Sequence, residues 1–354
     1  MTLAARIEAV TRRSRAFFNA RTPGHLLVHA YVPFKEPPLR PLNSFDLDHQ
    51  LEEWLDYQLE IARCRWRAKE GLDDDHLPSL CPTFGMAEYS AWMGMDVHLQ
   101  ETTCLPDPFV REPADLARIT FSESHRWFRH LQRGYAHLKG RQDGTFVLSF
   151  SGMIGPMDMA NAARGNDFFV DVLTEPDFVH RLMRRMTDAS RWFHPRLLPW
   201  CDRVAGGFVY QFGGFWLPTE RPGHLTNDPA MMCSADVYDE FAFPYEKELA
   251  EYYDGSLYHV HNENMQYVPS VVCLPGIRVL QLSNDPKTTP VIEDLPRIYA
   301  MTGDLPLMMH ATSTQVYRHI DLLKQRNVCL RILCCDRQDA DEAVRFVRTQ
   351  SKPL

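Results

Sequence analysis

Apolar residues fall in two patterns that alternate along the chain. Short β-rich runs recur at Leu26–Val32, Thr145–Ser151, Val204–Phe212, Leu257–His261, Ile277–Ser283, Leu305–His310 and Val328–Cys334, with a weaker eighth near His76–Pro82. Between them lie stretches long enough for helices, including Ser122–Leu138, Asp177–Leu198, Asp236–Tyr253 and Ser313–Arg326. Within Asp236–Tyr253, the residues Val237, Phe241, Tyr245, Leu249 and Tyr253 recur every fourth position and predict one buried helical stripe. Ser234 or Asp236 can cap it by accepting from free backbone N–H groups. Pro244 lies inside it, and an interior proline costs ~3 kcal/mol, so a kink or break is expected there. Ala5–Phe18 reads as a further amphipathic helix.

Strand–helix alternation predicts a parallel sheet with helices outside it. Eight repeats suit an α/β fold of the (β/α)8 TIM-barrel kind, with an N-terminal helical extension over residues 1–24, better than a doubly wound sheet. No GxGxxG follows the first strand and no GxxxxGK[ST] occurs, so neither phosphate-cradling loop is present. The prolines define no long linker, and residues 1–354 are expected to form a single domain.

Charge and cysteine usage narrow the function. The formal net charge is −8, and a nucleic-acid surface needs a basic footprint. No run approaches the ~20 apolar residues of a membrane span. The first residues carry scattered arginines and no apolar core, so no secretory signal is expected. The nine cysteines are odd in number and form no CxxC, which suits a reducing cytoplasm.

Barrel enzymes carry their chemistry at the C-terminal ends of the strands. There the sequence places His29 and Tyr31, Asp75, Ser151, Gln211, His259 and His261, Ser283 and Asp285, His310, and Cys334 with Cys335. The sharpest local feature is His259-Val260-His261, because side chains two apart on a strand share a face. Two imidazoles projecting together suit zinc, which in catalytic sites takes three protein ligands and keeps one open position. The third ligand can be Cys334 or Cys335. Cys334 continues the alternation of Leu330 and Ile332. The plainer alternative is two hydrogen-bonded core histidines and two buried thiols. His261-Asn262-Glu263 also reads HxE, but the PCxxC of zinc deaminases is missing. Asp75, His310 and Tyr31 are candidate catalytic groups. Gln211 and Asp285 are candidate substrate contacts, walled by Phe215, Trp216 and Met309.

Several segments together resemble the uroporphyrinogen decarboxylase superfamily: LDDDHLPSLCPTFGMAEYSAWMGMDV, SGMIGPMDMANAARGNDFFVDVLTEPDFVHRLM, then Asp228, DVYDEFAFPYEKELAEYYDGSLYHVHNEN and SNDP. The resemblance covers about Arg6 to Val347 and implies a (β/α)8 barrel. The heme-pathway decarboxylase branch grips its substrate with an N-terminal arginine motif, and here that strand end reads VHAYVPFKEPP without arginine. Asp75 falls where that branch keeps a catalytic aspartate. The zinc methyltransferase branch carries His-x-Cys on a middle strand and a further cysteine near the end. His259-Val260-His261 occupies the first place, with histidine replacing cysteine, and Cys334 or Cys335 the second. The resemblance implies methyl exchange between a small substrate and a corrinoid. No DxHxxG corrinoid motif occurs, since Asp74-Asp75-His76-Leu77-Pro78-Ser79 ends in serine. The corrinoid is therefore expected on a partner protein. The alternative enzyme is a metal-free decarboxylase or lyase using Asp75 and His310.

Overall fold

The computed structural model describes every residue except Arg21, residues 86–90, Trp92, Met153 and Leu354. Residues 86–90, Trp92 and Met153 belong to segments that carry the resemblance, and that part of it lies outside the described residues.

The expected first helix is present at Leu3–Asn19, opened by Thr2, whose hydroxyl accepts from Ala5 N. The strands up to residue 217 are mostly short: β1 (Leu26–Tyr31), β2 (Ser79–Leu80), β3 (Val97–Leu99), β4 (Cys104–Pro106), β5 (Val147–Leu148), β6 (Arg203–Val204), β7 (Gly207–Tyr210) and β8 (Phe215–Leu217). Later strands are longer: β9 (Pro222–Thr226), β10 (Gly255–His261), β11 (Ile277–Ser283), β12 (Leu307–Thr312) and β13 (Val328–Leu333). These five and β1 form one sheet in the order β1-β13-β12-β11-β10-β9, parallel throughout. The molecule is thus α/β with a parallel sheet. β2 pairs in parallel with β5, and a parallel bridge joins Phe150 to Tyr210 just beyond β5 and at the end of β7. These ladders are not joined into one continuous hydrogen-bonded cylinder among the described residues.

The outer edge of β1 is covered by side chains rather than by a strand. Val28 N donates to Asp75 Oδ2 at 2.8 Å and Ala30 N to Asp74 Oδ2 at 3.2 Å, while Asp75 N donates to Val28 O. Arg6 and Lys69 pair with Asp74, and Arg13 and Arg348 pair with Asp75. Both carboxylates are buried. Burial disfavours their charge, and the surrounding cations offset that cost. For Asp74, burial pushes the carboxyl up, but Lys69 and Arg6 outweigh it and hold the pKa below the usual value.

Several boundaries depart from the sequence reading for local reasons. Val204–Phe212 is a hairpin rather than one strand, because Ala205 and Gly206 both take positive φ, 47° and 78°, and turn the chain. β12 starts at Leu307, because Pro306 has no N–H to give the ladder. β9 was hidden by its own composition: proline and glycine open it, yet all five residues are buried. The break at Pro244 is present: helices span Ala235–Phe241 and Phe243–Tyr252, and Ser234, not Asp236, caps the first. A large buried apolar cluster includes residues from Phe17 to Val347. A smaller one gathers Val10, Leu77, Val147, Val204, Val209 and Trp216 against the first helix.

Candidate metal centre and its cavity

β10 alternates between two environments. Tyr258 and Val260 are buried, and Tyr258 donates to Glu246 of the adjoining helix at 2.8 Å. His259 and His261 take the opposite face and line a cavity of about 1330 Å³. The Nε2 atoms of the two rings face each other at 3.2 Å, and Asp228 Oδ1 lies 3.5 Å from His261 Nε2. One ligand atom from each of Asp228, His259 and His261 falls within 4.8 Å of the others, a group able to hold a metal ion.

Neighbouring side chains fix which ring nitrogens are free. His259 Nδ1 is hydrogen-bonded to Gln281 Oε1, which stands opposite it on β11. Gln281 Nε2 donates to Ser283 Oγ at 3.3 Å, so the amide oxygen is the atom turned to the histidine. His261 Nδ1 meets Asp285 Oδ1 at 2.5 Å. Both Nδ1 atoms are therefore engaged, and a ring that is neutral in this arrangement presents its Nε2 lone pair to the other. A cation between the two Nε2 atoms satisfies both, and a histidine held by an amide or carboxylate through its far nitrogen is the usual support of a metal ligand. Burial lowers the pKa of His259, which favours that neutral form.

Asp228 follows β9, two residues after Thr226, which is in register with His259. Its backbone N donates to Asp158 Oδ1 at 2.9 Å, while its own side chain is 54% exposed and free to adjust. Asp158 also accepts from Gly155 N and Thr226 Oγ1. Burial, then the charge of Asp228, raises its pKa to about 8. His224, also on β9, lines the cavity while only 8% exposed, and neither ring nitrogen has a partner among the described residues. Burial and then His259 lower its pKa to about 3, so its ring is neutral. Its backing residue is Gly152, where an added Cβ would lie inside contact distance of the imidazole.

The expected site is partly assembled here. Tyr31, Gln211, His259 and His261 line the cavity. Asp285 stands behind His261, and His310 lies beside Tyr31, ring centroids 6.2 Å apart. Asp75 is not among the cavity-lining residues: its carboxylate is consumed at the edge of β1 by Val28 N, Arg13 and Arg348. Phe215, Trp216 and Met309 are not walls of the cavity. Phe215 packs on Phe18 and His29, and Trp216 donates to Val204 O in the smaller core. Met309 is fully buried. The wall includes Phe212, Ile154 and Met231 instead.

The cysteines are the clearest correction. Cys334 does continue the alternation of Leu330 and Ile332, but that face is turned away from the cavity. Cys334 is buried with its Sγ 3.6 Å from Ile332 O, and Cys335 is exposed. The cavity face of β13 carries Arg331. Neither cysteine joins the two histidines, and the third group is Asp228. Sequence reading missed it as a ligand because the strand before it was not seen, so Asp228 did not stand at a recognised strand end.

No protein-family model and no curated protein sequence matches the chain. Among solved structures, it is similar to a methyltransferase from Methanosarcina mazei over 99% of this chain and 98% of that one, with a TM-score of 0.61 and 10% identity. At that identity the likeness is one of fold, and it extends over the full length. A homocysteine methyltransferase from Escherichia coli aligns with 55% of this chain and 75% of that one, at 12% identity and a TM-score of 0.23, too loose to carry an argument. No helix among the described residues is long and apolar enough to cross a membrane.

Proposed function

We propose that this chain is a zinc-dependent methyltransferase of the uroporphyrinogen decarboxylase superfamily. It moves a methyl group between a small substrate and a corrinoid carried by a partner protein, in the cytoplasm. The observation that carries the reading is the convergence of His259 Nε2, His261 Nε2 and an Asp228 oxygen, with both Nδ1 atoms already engaged. The full-length likeness of fold supports it. Nine free cysteines fit a reducing compartment. We read residues 1–354 as a single (β/α)8 barrel with residues 1–24 outside it. Its fourth unit contains β7, β8 and β9 before its helices.

His259, His261 and Asp228 would hold the ion. Zinc bound there supplies a Lewis acid that acidifies a substrate thiol or water, or polarises the oxygen of a methyl ether. Gln281 and Asp285 keep the histidine protons on Nδ1, so each Nε2 stays available. His224 and His310 are neutral, the latter lowered to about 4 by burial and then by Arg331, and add no charge at the reacting end. Phe212 lies against His224 and His259 and keeps water from that wall. The alternative of a metal-free lyase built on Asp75 is favoured by no feature of the cavity.

The test is metal analysis of reconstituted protein, followed by methyl transfer from methylcobalamin to a thiol, read by the loss of methylcobalamin absorbance. The Co–C bond breaks, cob(I)alamin leaves with the electron pair, and the thiol sulfur gives up its proton and takes the methyl group. One zinc per chain and a zinc-dependent transfer are expected, both lost in His261→Ala. Zinc well below one per chain, or transfer unaffected by His261→Ala, overturns the reading.

A further inference from the structure

Glu246 is fully buried, and among the described residues it has no cation within ion-pair distance. The other buried carboxylates are paired: Asp74 with Arg6 and Lys69, Asp75 with Arg13 and Arg348, Asp171 with Arg164. Glu246 meets neutral donors instead. Asn227 Nδ2 donates to its Oε1 at 3.0 Å, and Tyr238 Oη and Tyr258 Oη donate to its Oε2 at 2.6 and 2.8 Å. The break at Pro244 puts Glu246 in the first turn of a helix, where the dipole favours a negative charge. It is not among the residues that line the cavity.

A buried acid facing only neutral groups costs stability that an apolar side chain of similar volume would not. The reach of its bonds gives it a use. Asn227 immediately precedes Asp228, and Tyr258 immediately precedes His259. Asn227 is itself 1% exposed, and its Oδ1 accepts from Ala230 N at 3.1 Å. One end of this amide closes the turn over residues 227–230, and the other end holds Glu246. Asp228 N is fixed separately by Asp158 Oδ1. Side chains alternate along a strand, so a hold on Tyr258 from behind β10 sets how His259 projects in front of it. One carboxylate thus ties together the two segments that carry Asp228 and His259, and bonds to neither of those side chains.

We infer that Glu246 is a positioning residue of the metal centre: acting through Asn227 and Tyr258, it sets the separation between the Asp228 carboxylate and the His259 ring. This rests on the proposed centre for the purpose of that separation; the hold itself needs no ion. Asp228 has a side chain 54% exposed, so its place beside the histidines depends on how firmly its main chain is fixed. Groups behind the ligands supply such orientation in metal sites generally. The chemistry of the hold also says what can replace it. A glutamine offers an amide oxygen to Asn227 and an NH2 to the two phenol oxygens, which accept as well as donate. A leucine satisfies none of the three donors.

The experiment measures zinc affinity, by competition with a chelator, in full-length Glu246→Leu, Glu246→Gln, Asn227→Ala and the double variant Glu246→Leu with Asn227→Ala. Zinc should bind about tenfold more weakly in Glu246→Leu, and within about threefold of the wild-type affinity in Glu246→Gln. Asn227→Ala should weaken it at least as much as Glu246→Leu. The double variant should lose less than the product of the two single losses, because both act through one contact. In metal-free Glu246→Leu, amide hydrogen exchange should quicken about tenfold at Asp228 and Ala230 while β11 and β12 keep their protection. Unchanged zinc affinity in folded Glu246→Leu, single losses that multiply in full, or faster exchange spread evenly over the sheet overturns the inference. Should Glu246→Leu not fold, Tyr258→Phe decides: zinc bound about threefold more weakly supports the inference, and unchanged affinity rejects it. A wild-type chain that takes up no zinc removes the metal reading, and the local exchange at Asp228 and Ala230 then decides the hold by itself.

Discussion

His259 and His261 are each held by a different acceptor, so in the proposed metal centre loss of either acceptor should act on metal binding before it acts on the fold. Asp285→Asn and Gln281→Leu are each expected to weaken zinc binding about 10–100-fold, as removal of such supports does elsewhere. Competition with a chelator measures this, and an unchanged affinity would contradict the assignment. Glu246 supplies a second prediction. It is buried among Tyr238, Tyr258 and Asn227, and burial raises its pKa to about 7 against these three donors, which pull it down. The folded state then binds its proton more tightly than the unfolded chain does. Its contribution is full below the unfolded value of 4.5 and is lost as pH rises through about 7. Glu246→Gln should flatten that decline, by about 3 kcal/mol at most; urea unfolding across this range shows it, and a pH-independent offset between the two proteins would refute it. The histidine pair was legible because a strand's period of two needs no knowledge of the rest of the fold. For Cys334 the same period gave the right alternation but not the face, since a buried strand is apolar on both sides.

At the scale of elements, the edge of β1 explains why Asp75 invites a catalytic reading. A buried aspartate next to an apolar run is also what closes a strand edge when no neighbouring strand does so. Asp75→Asn leaves Arg13 and Arg348 without their buried partner. A loss of about 3–5 kcal/mol in unfolding free energy is expected, with zinc content unchanged. Loss of zinc from the proposed centre in a protein of unaltered stability would return Asp75 to the candidate site. Elements with a strong period were read correctly in kind, including the helix broken at Pro244. The short strands β2 and β5 were expected to be longer. β9 was missed because proline and glycine lower strand propensity, while the partners that override it, β10 and the buried Tyr253, are distant in sequence.

For the whole molecule, the charge of −8 predicts no appreciable affinity for DNA or RNA at physiological salt. Tight, salt-sensitive retardation in a gel shift would contradict this. The covering of β1 has a further consequence, for synthesis. On one side this strand takes residues 328–333, and its carboxylate clasp includes Arg348. A ribosome must therefore deliver the chain as far as residue 348 before residues 26–31 find all their partners. Until then the early segment carries an unpaired strand, and the buried Asp75 lacks one of its two cations. Such long-range closure makes folding slow and leaves the nascent chain open to aggregation. Chaperones that shelter emerging chains would meet this protein at residues 26–31, and release it only when the helix that carries Arg348 has been made.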